Sequence, residues 1–352
     1  MKLIHTADLH IDSAMEANLP PEKARLRRKE LLLTLGAIAD LAEREGARAV
    51  LLAGDVFDTD RPAGSAVRYL LDTVSAHPSI DFLMLYGNHA GDFRLPADGL
   101  PRNMKLFDGS GYSVYRYGST AIYGAEDPGA ELPTLSAEEF NIVMLHGQAV
   151  EHRHAPDEID LSSLRDRDID YLALGHIHAP RIEKLDARGF WCYPGCPEGR
   201  GFDEVGERGV VLLSTDGERL TKSFLPIARR TLHDRAVDIS ECGSQRELED
   251  AVTRAVAEIS EGDLLRIRLT GARPANLPPD LLQLTMALEN SYFFVEILDE
   301  SSVLIDPLSY ENDLSLRGEF VRTVLSLKLP PEEEGLILTA GLAVLDGEEV
   351  PF

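Results

Sequence analysis

Five short apolar runs in the first half of the chain each stop at a residue able to bind a cation. This recurrence limits the possible folds more than any other feature. "KLIHTADLH" ends in Asp8 and His10, "AVLLAGD" in Asp55, "FLMLYGNH" in Asn88 and His89, "IVMLHG" in His146, and "YLALGHIH" in His176 and His178. Short runs that are apolar throughout predict strands buried on both faces, as in a layered α/β domain. In a continuing strand the side chains at i and i+2 share a face, so His176 and His178 are expected side by side. A single histidine or aspartate after a strand is usually a cap. Five such endings, all at the same end of their strands, describe a ligand site, because ligands of open α/β sheets gather at the carboxyl ends of strands.

Between the runs the pattern is helical. Apolar positions recur at three- and four-residue spacing from Pro21 to about Glu45, and a second helix is expected from about Ala63 to Ala76. Shorter, tyrosine-rich β segments follow between Met104 and Gly124. From Arg181 to about Pro226 hairpins are expected, with a turn at Asp216–Gly217. About Ala228 to Glu300 reads strand, helix, strand, helix, strand, and Ser301 to Phe352 reads as mainly helical, broken at Pro330–Pro331. The fold class is α/β (α+β). The expected domains are residues 1–227, a small α+β domain at 228–300 and a helical tail at 301–352.

The formal net charge of −25 argues against nucleic-acid binding by bulk electrostatics. It is uneven: Thr231 to Phe352 holds 9 Lys/Arg against 24 Asp/Glu. The basic run "KARLRRK", Lys23 to Lys29, reads as a solvated helix face. No apolar run approaches the length of a membrane span, and the amino terminus lacks a signal peptide's apolar core, so a cytoplasmic protein is expected. Cys192, Cys196 and Cys242 lack CxxC spacing and read as packing residues or exposed thiols.

The ordered set DxH, GDxFD, GNH, LHG and GHIH resembles the calcineurin-like metallophosphoesterases over roughly Met1 to Pro226. That resemblance implies a β-sandwich flanked by helices, with two divalent metal ions above the strand ends. Asp8, His10, Asp55 and His178 would hold one ion. Asp55, Asn88, His146 and His176 would hold the other, with Asp55 shared. Two cations about 4 Å apart repel, which favours a shared carboxylate. Carboxylate, imidazole and amide donors without thiolate suit manganese, with iron and zinc as alternatives, better than copper or calcium. The implied reaction is in-line hydrolysis of a phosphate ester. His89 would protonate the leaving group or stabilise the transition state. The family usually has an acid after this histidine, where this chain has Ala90, and Asp58 of "GDVFD" is expected to orient His89 by a hydrogen bond. His5, His77, His152, His154 and His233 are expected outside the ligand set.

Within the superfamily, "HTADLHIDS", "YPGCPEGRGFDEVGERGVVLL" and "LRGEFVRTVL" are similar to the SbcD nucleases, the YhaO-like branch above all. This implies a manganese-dependent DNA exo- and endonuclease in DNA repair, a homodimer, working with an SbcC-like coiled-coil ATPase. Residues 228–300 would then be a capping domain against DNA, and no membrane is involved. A phosphodiesterase or phosphatase on small nucleotides or other small esters is the alternative, which the negative charge favours. For the tail, the helical spacing of Phe320, Val321, Val324 and Leu325 fits a helix packed on its own core, or a docking site for the ATPase.

Overall fold

A computed structural model describes residues 1–15, 19–96, 98–107, 109, 111–215, 220–274, 277–304 and 310–346. The expected turn at Asp216–Gly217 lies outside the described residues. The chain divides into two compact units, Met1–Leu232 and His233–Phe352.

The first unit opens with β1 (Lys2–Thr6), α1 (Pro21–Glu45), β2 (Ala49–Ala53), α2 (Gly64–Ala76), β3 (Asp81–Leu85) and β4 (Met104–Leu106). It continues with β5 (Ser113–Tyr117), β6 (Thr120–Gly124), β7 (Phe140–His146), β8 (Gln148–Val150), β9 (Glu158–Asp160), α3 (Leu161–Leu164) and β10 (Tyr171–Gly175). Its last strands are β11 (Arg181–Lys184), β12 (Phe190–Tyr193), β13 (Gly209–Thr215) and β14 (Leu220–Pro226). They form two six-stranded sheets, ordered β14-β13-β1-β2-β3-β4 and β11-β12-β10-β7-β6-β5. β1, β2, β3 and β4 run parallel in the first sheet, as do β6, β7, β10 and β12 in the second.

The apolar runs are strands because both of their faces are buried. Leu3, Leu51 and Leu83 pack with Ile122, Ile142, Met144 and Tyr171 from the other sheet, which makes the interior of a sandwich. Their neighbours Ile4, Val50, Leu52, Phe82 and Met84 turn the other way, onto Leu35 and Ile38 of α1 and Leu70 and Val74 of α2. This two-sided burial explains why the runs do not alternate with polar residues. It also leaves the strand ends as the place where polar side chains can gather.

The basic run on α1 departs from the expectation of a solvated face. Arg25, Arg28 and Lys29 are exposed, but Arg27 is fully buried, donating to Glu30 (2.8 Å), Glu198 (2.7 Å) and the Gly199 carbonyl (2.8 Å). A buried guanidinium needs such partners. Cys192, Cys196 and Cys242 are free and buried, as packing residues are.

The second unit takes up β15 (Leu232–Asp238), followed by α4 (Gln245–Val256), β16 (Leu264–Thr270), β17 (Ala272–Pro274), α5 (Leu281–Leu288), β18 (Phe294–Asp299) and β19 (Ser302–Leu304). A three-stranded sheet, β15-β16-β18, packs against α4 and α5 through Val237, Leu248, Val252, Leu265, Ile267 and Leu284. The chain then forms α6 (Leu316–Ser326) and α7 (Pro331–Asp346), which bury Val321, Val324, Leu338 and Leu342 between them. Among the described residues no helix is long and apolar enough to cross a membrane.

Candidate metal centre

The residues singled out in the sequence meet where the carboxyl ends of β1, β2 and β3 face those of β7 and β10. Beyond the strands the main chain continues its ladder: Asp8 N–H donates to Gly54 O (3.1 Å), His10 N–H to Asp55 O (3.0 Å) and Asp55 N–H to Tyr86 O (3.0 Å). To turn their side chains inward, Asp8, His10, Asp55 and His176 adopt positive φ (54°, 43°, 49° and 106°). Non-glycine residues rarely hold such angles, and they cluster where surrounding structure imposes them. The glycines of "GD" and "GH" are there for space. A Cβ on Gly54 would stand 2.1 Å from Nδ1 of His146, and one on Gly175 would stand 2.0 Å from Ala53 O.

Asp8, His10, Asp55 and His146 are all buried. His146 donates through Nδ1 to the Ala53 carbonyl (2.9 Å), which can only accept. Its Nε2 therefore turns a lone pair towards Asp55 Oδ2 (3.1 Å) and Asn88 Oδ1 (2.9 Å). Three acceptors so close require a cation among them. Burial disfavours charge on this ring, but the Asp55 carboxylate outweighs it and pushes His146 up to about 9. Without a metal, a proton takes that place.

The other histidines show the same geometry. His10 Nδ1 lies 2.9 Å from Asp58 Oδ1, and His178 Nδ1 lies 2.6 Å from Glu204 Oε1. Glu204 takes the Nδ1 hydrogen of His178, whereas His10 Nδ1 lies at ion-pair distance from Asp58 without the alignment of a hydrogen bond. The two Nε2 atoms face each other 3.3 Å apart. Asp8 stands beside them, its carboxylate accepting from His176 N–H (2.9 and 3.1 Å). Burial raises Asp8 to about 6, with His146 and His178 opposing, and burial also pushes His10 and His176 down. The donor atoms of Asp8, His10 and His178 lie within 4.8 Å of one another, as do those of Asp8, Asp55 and His146, so both groups could hold a metal ion. His176 stands slightly apart, with its ring edge-on to His146 at 5.6 Å between centroids.

The expected bond between Asp58 and His89 takes a different form. His89 Nδ1 meets the main-chain carbonyl of Asp58 (3.0 Å), and the carboxylate lies 3.9 Å away. The carboxylate is drawn instead to the buried His10 ring and to Arg200 Nη1 (3.1 Å). Ala90 is buried in the helix-side core. His89 is exposed, with Nε2 3.9 Å from Asp55 Oδ2, and its main-chain N–H donates to Asp55 Oδ1 (3.1 Å).

Several contributors were not assigned a role from the sequence. Glu204 and Arg200 hold His178 and Asp58, and Arg208 donates to the His178 carbonyl. Glu126 accepts from Tyr86 N–H (2.8 Å) and so supports the turn carrying Asn88. The signal lay in "EGRGFDEVGER", where charged residues crowd a glycine-rich segment. The remaining histidines are elsewhere. His5 is fully buried against Tyr171 OH (2.9 Å) and pushed by burial down to about 3. His77 ends α2, His152 and His154 are exposed, and His233 pairs with Asp263 in the second unit.

The calcineurin-like phosphoesterase family profile matches residues 1–180. The chain belongs to that family. Calcineurin-like phosphoesterases are hydrolases that use divalent metals, in keeping with the grouped donors described above. The chain is 26% identical to the uncharacterized metallophosphoesterase YhaO of Bacillus subtilis over 76% of its own length and 71% of that protein's. It is 25% identical to the DNA double-strand break repair protein Mre11 of Aeropyrum pernix over 73% and 68% of the two chains. With SbcD, a component of the SbcCD nuclease of Bacillus subtilis, it shares 24% identity over 63% and 68%.

Proposed function

We propose that Asp8, His10, Asp55 and His178 hold one divalent ion and that Asp55, Asn88, His146 and His176 hold a second, in a phosphodiesterase that cleaves DNA. The observation that supports this reading is the convergence of donor atoms: Nε2 of His10 stands 3.3 Å from Nε2 of His178, and Nε2 of His146 stands 3.1 Å from the Asp55 carboxylate. Oxygen and imidazole donors without thiolate favour manganese, with iron or zinc as alternatives. Divalent ions held there would polarise the phosphoryl oxygens and favour deprotonation of water.

The chain's own residues do the rest. Asp55 accepts the His89 main-chain N–H, which fixes the turn that presents the His89 ring. The Asp58 carbonyl takes the Nδ1 hydrogen of His89, so Nε2 is the atom left to deliver a proton to a leaving oxygen. Asp58 also holds the His10 ring through its carboxylate and so acts on both histidines.

DNA is favoured as substrate because the similarity to the DNA double-strand break repair protein Mre11 covers 73% of the chain, more than residues 1–232 of the first unit can supply. In this reading residues 1–227 are catalytic, 228–300 a capping domain and 301–352 a tail that meets an SbcC-like ATPase, in a homodimer acting in DNA repair. The net charge of −25 favours a second reading, a phosphodiesterase or phosphatase on small nucleotides or other small esters. The test is cleavage of labelled linear and hairpin DNA with manganese, magnesium or chelator, beside a small diester. Manganese-dependent DNA cleavage that weakens steeply with salt supports the first reading. Hydrolysis of the diester alone establishes the second.

A further inference from the structure

Arg200 occupies an unusual place beside the centre. Its Nη1 donates to Asp58 Oδ1 (3.1 Å), its Nη2 to Glu204 Oε1 (3.0 Å), and its main-chain N–H to Glu204 Oε2 (2.7 Å). The Glu204 side chain is almost fully buried, and those of Asp58 and Arg200 are about four-fifths buried. These two carboxylates are the ones that stand against Nδ1 of His10 (2.9 Å) and Nδ1 of His178 (2.6 Å). A single planar guanidinium thus ties together the carboxylates packed against both rings. Its nitrogens already point at carboxylates, so Arg200 is poorly placed to bind a substrate phosphate itself.

We propose that Arg200 and Glu204 are positioning residues for one of the two ions, the one at Asp8, His10 and His178, and leave the other untouched. The second ion's ring, His146, is fixed by the Ala53 carbonyl and needs no help from this loop. The inference rests on the reading of the centre as a two-ion site. It goes further in assigning the two positions different supports and in naming residues outside the ligand set. Arg200→Lys should not replace the arginine, because an ammonium cannot bridge two carboxylates in one plane.

The test is manganese binding by the full chain, followed by calorimetry and by electron paramagnetic resonance, with folding checked by circular dichroism. The wild type is expected to bind two ions and give the spectrum of a coupled pair. Arg200→Ala, Arg200→Lys and Glu204→Ala should keep one ion at wild-type affinity and weaken the other about 10- to 100-fold. A single-ion spectrum should then appear at intermediate manganese. Glu204→Gln, whose amide oxygen can still accept the His178 hydrogen, should weaken that ion less than Glu204→Ala. A merely structural role would lower the melting temperature and leave the ratio of the two affinities alone. Folded variants that bind both ions as the wild type does, or lose both equally, overturn the inference. A wild type that binds fewer than two ions overturns the two-ion reading, and this inference with it.

Discussion

The two sides of the centre are supported by different kinds of acceptor. On the His146 side the support is main chain: the Ala53 carbonyl at the end of β2 holds the ring, and Gly54 and Gly175 leave room for it. On the His10 and His178 side the support is ionic and made of side chains, through Asp58, Glu204 and Arg200. The first support comes with the sandwich itself, so no side-chain deletion can remove it. The second depends on a loop more than 20 residues beyond His178 and can be dismantled one residue at a time. One fold therefore builds a fixed half and an adjustable half on the two sides of the centre.

Variants can break or sharpen this contrast. Asp55→Ala should be the most severe, since Asp55 is the ligand proposed to be shared by both ions. Hydrolysis should fall by about 10³-fold or more, the upper range for losing one electrostatic group, with manganese content measured alongside. His89→Ala should lower kcat by about 10²-fold and leave manganese content unchanged, because its ring belongs to neither half. Full activity in that variant would remove His89 from the mechanism. Gly54→Ala strikes the fixed half, where φ is +95° and the new Cβ meets His146. It should cost about 1–3 kcal/mol in a denaturation experiment and disturb the His146 ion first. Asp58→Asn should be mildest, since the amide keeps the size of the side chain and an oxygen beside His10 and loses only the charge. About a tenfold loss in affinity for the Asp8 ion, read by calorimetry, is expected.

The fixed half was also the legible half. Apolar runs that stop abruptly at Asp55, Asn88 and His146 announce both the strand and what its end presents, because burial on two faces leaves no other place for those groups. The helices were as plain: three- and four-residue spacing after Pro20–Pro21 and before Gly46 marks α1 at Pro21–Glu45. The adjustable half was much harder to read. Glu204 and Arg200 matter only because their loop folds back onto His178, and no period in the sequence encodes that return. The family resemblance placed Asp58 near His89 but could not say that the carbonyl would serve His89 while the carboxylate went to His10. Arg27 reads as one more exposed charge until Glu198, far along the chain, is seen to meet it.

Anomalous diffraction at the manganese edge, from crystals grown with that ion, tests the central claim most directly. Two peaks about 3.5–4 Å apart should flank the Asp55 carboxylate, one beside His10 and His178 and the other beside His146. No peak next to Asp55, or a single ion bound away from these rings, would contradict the account.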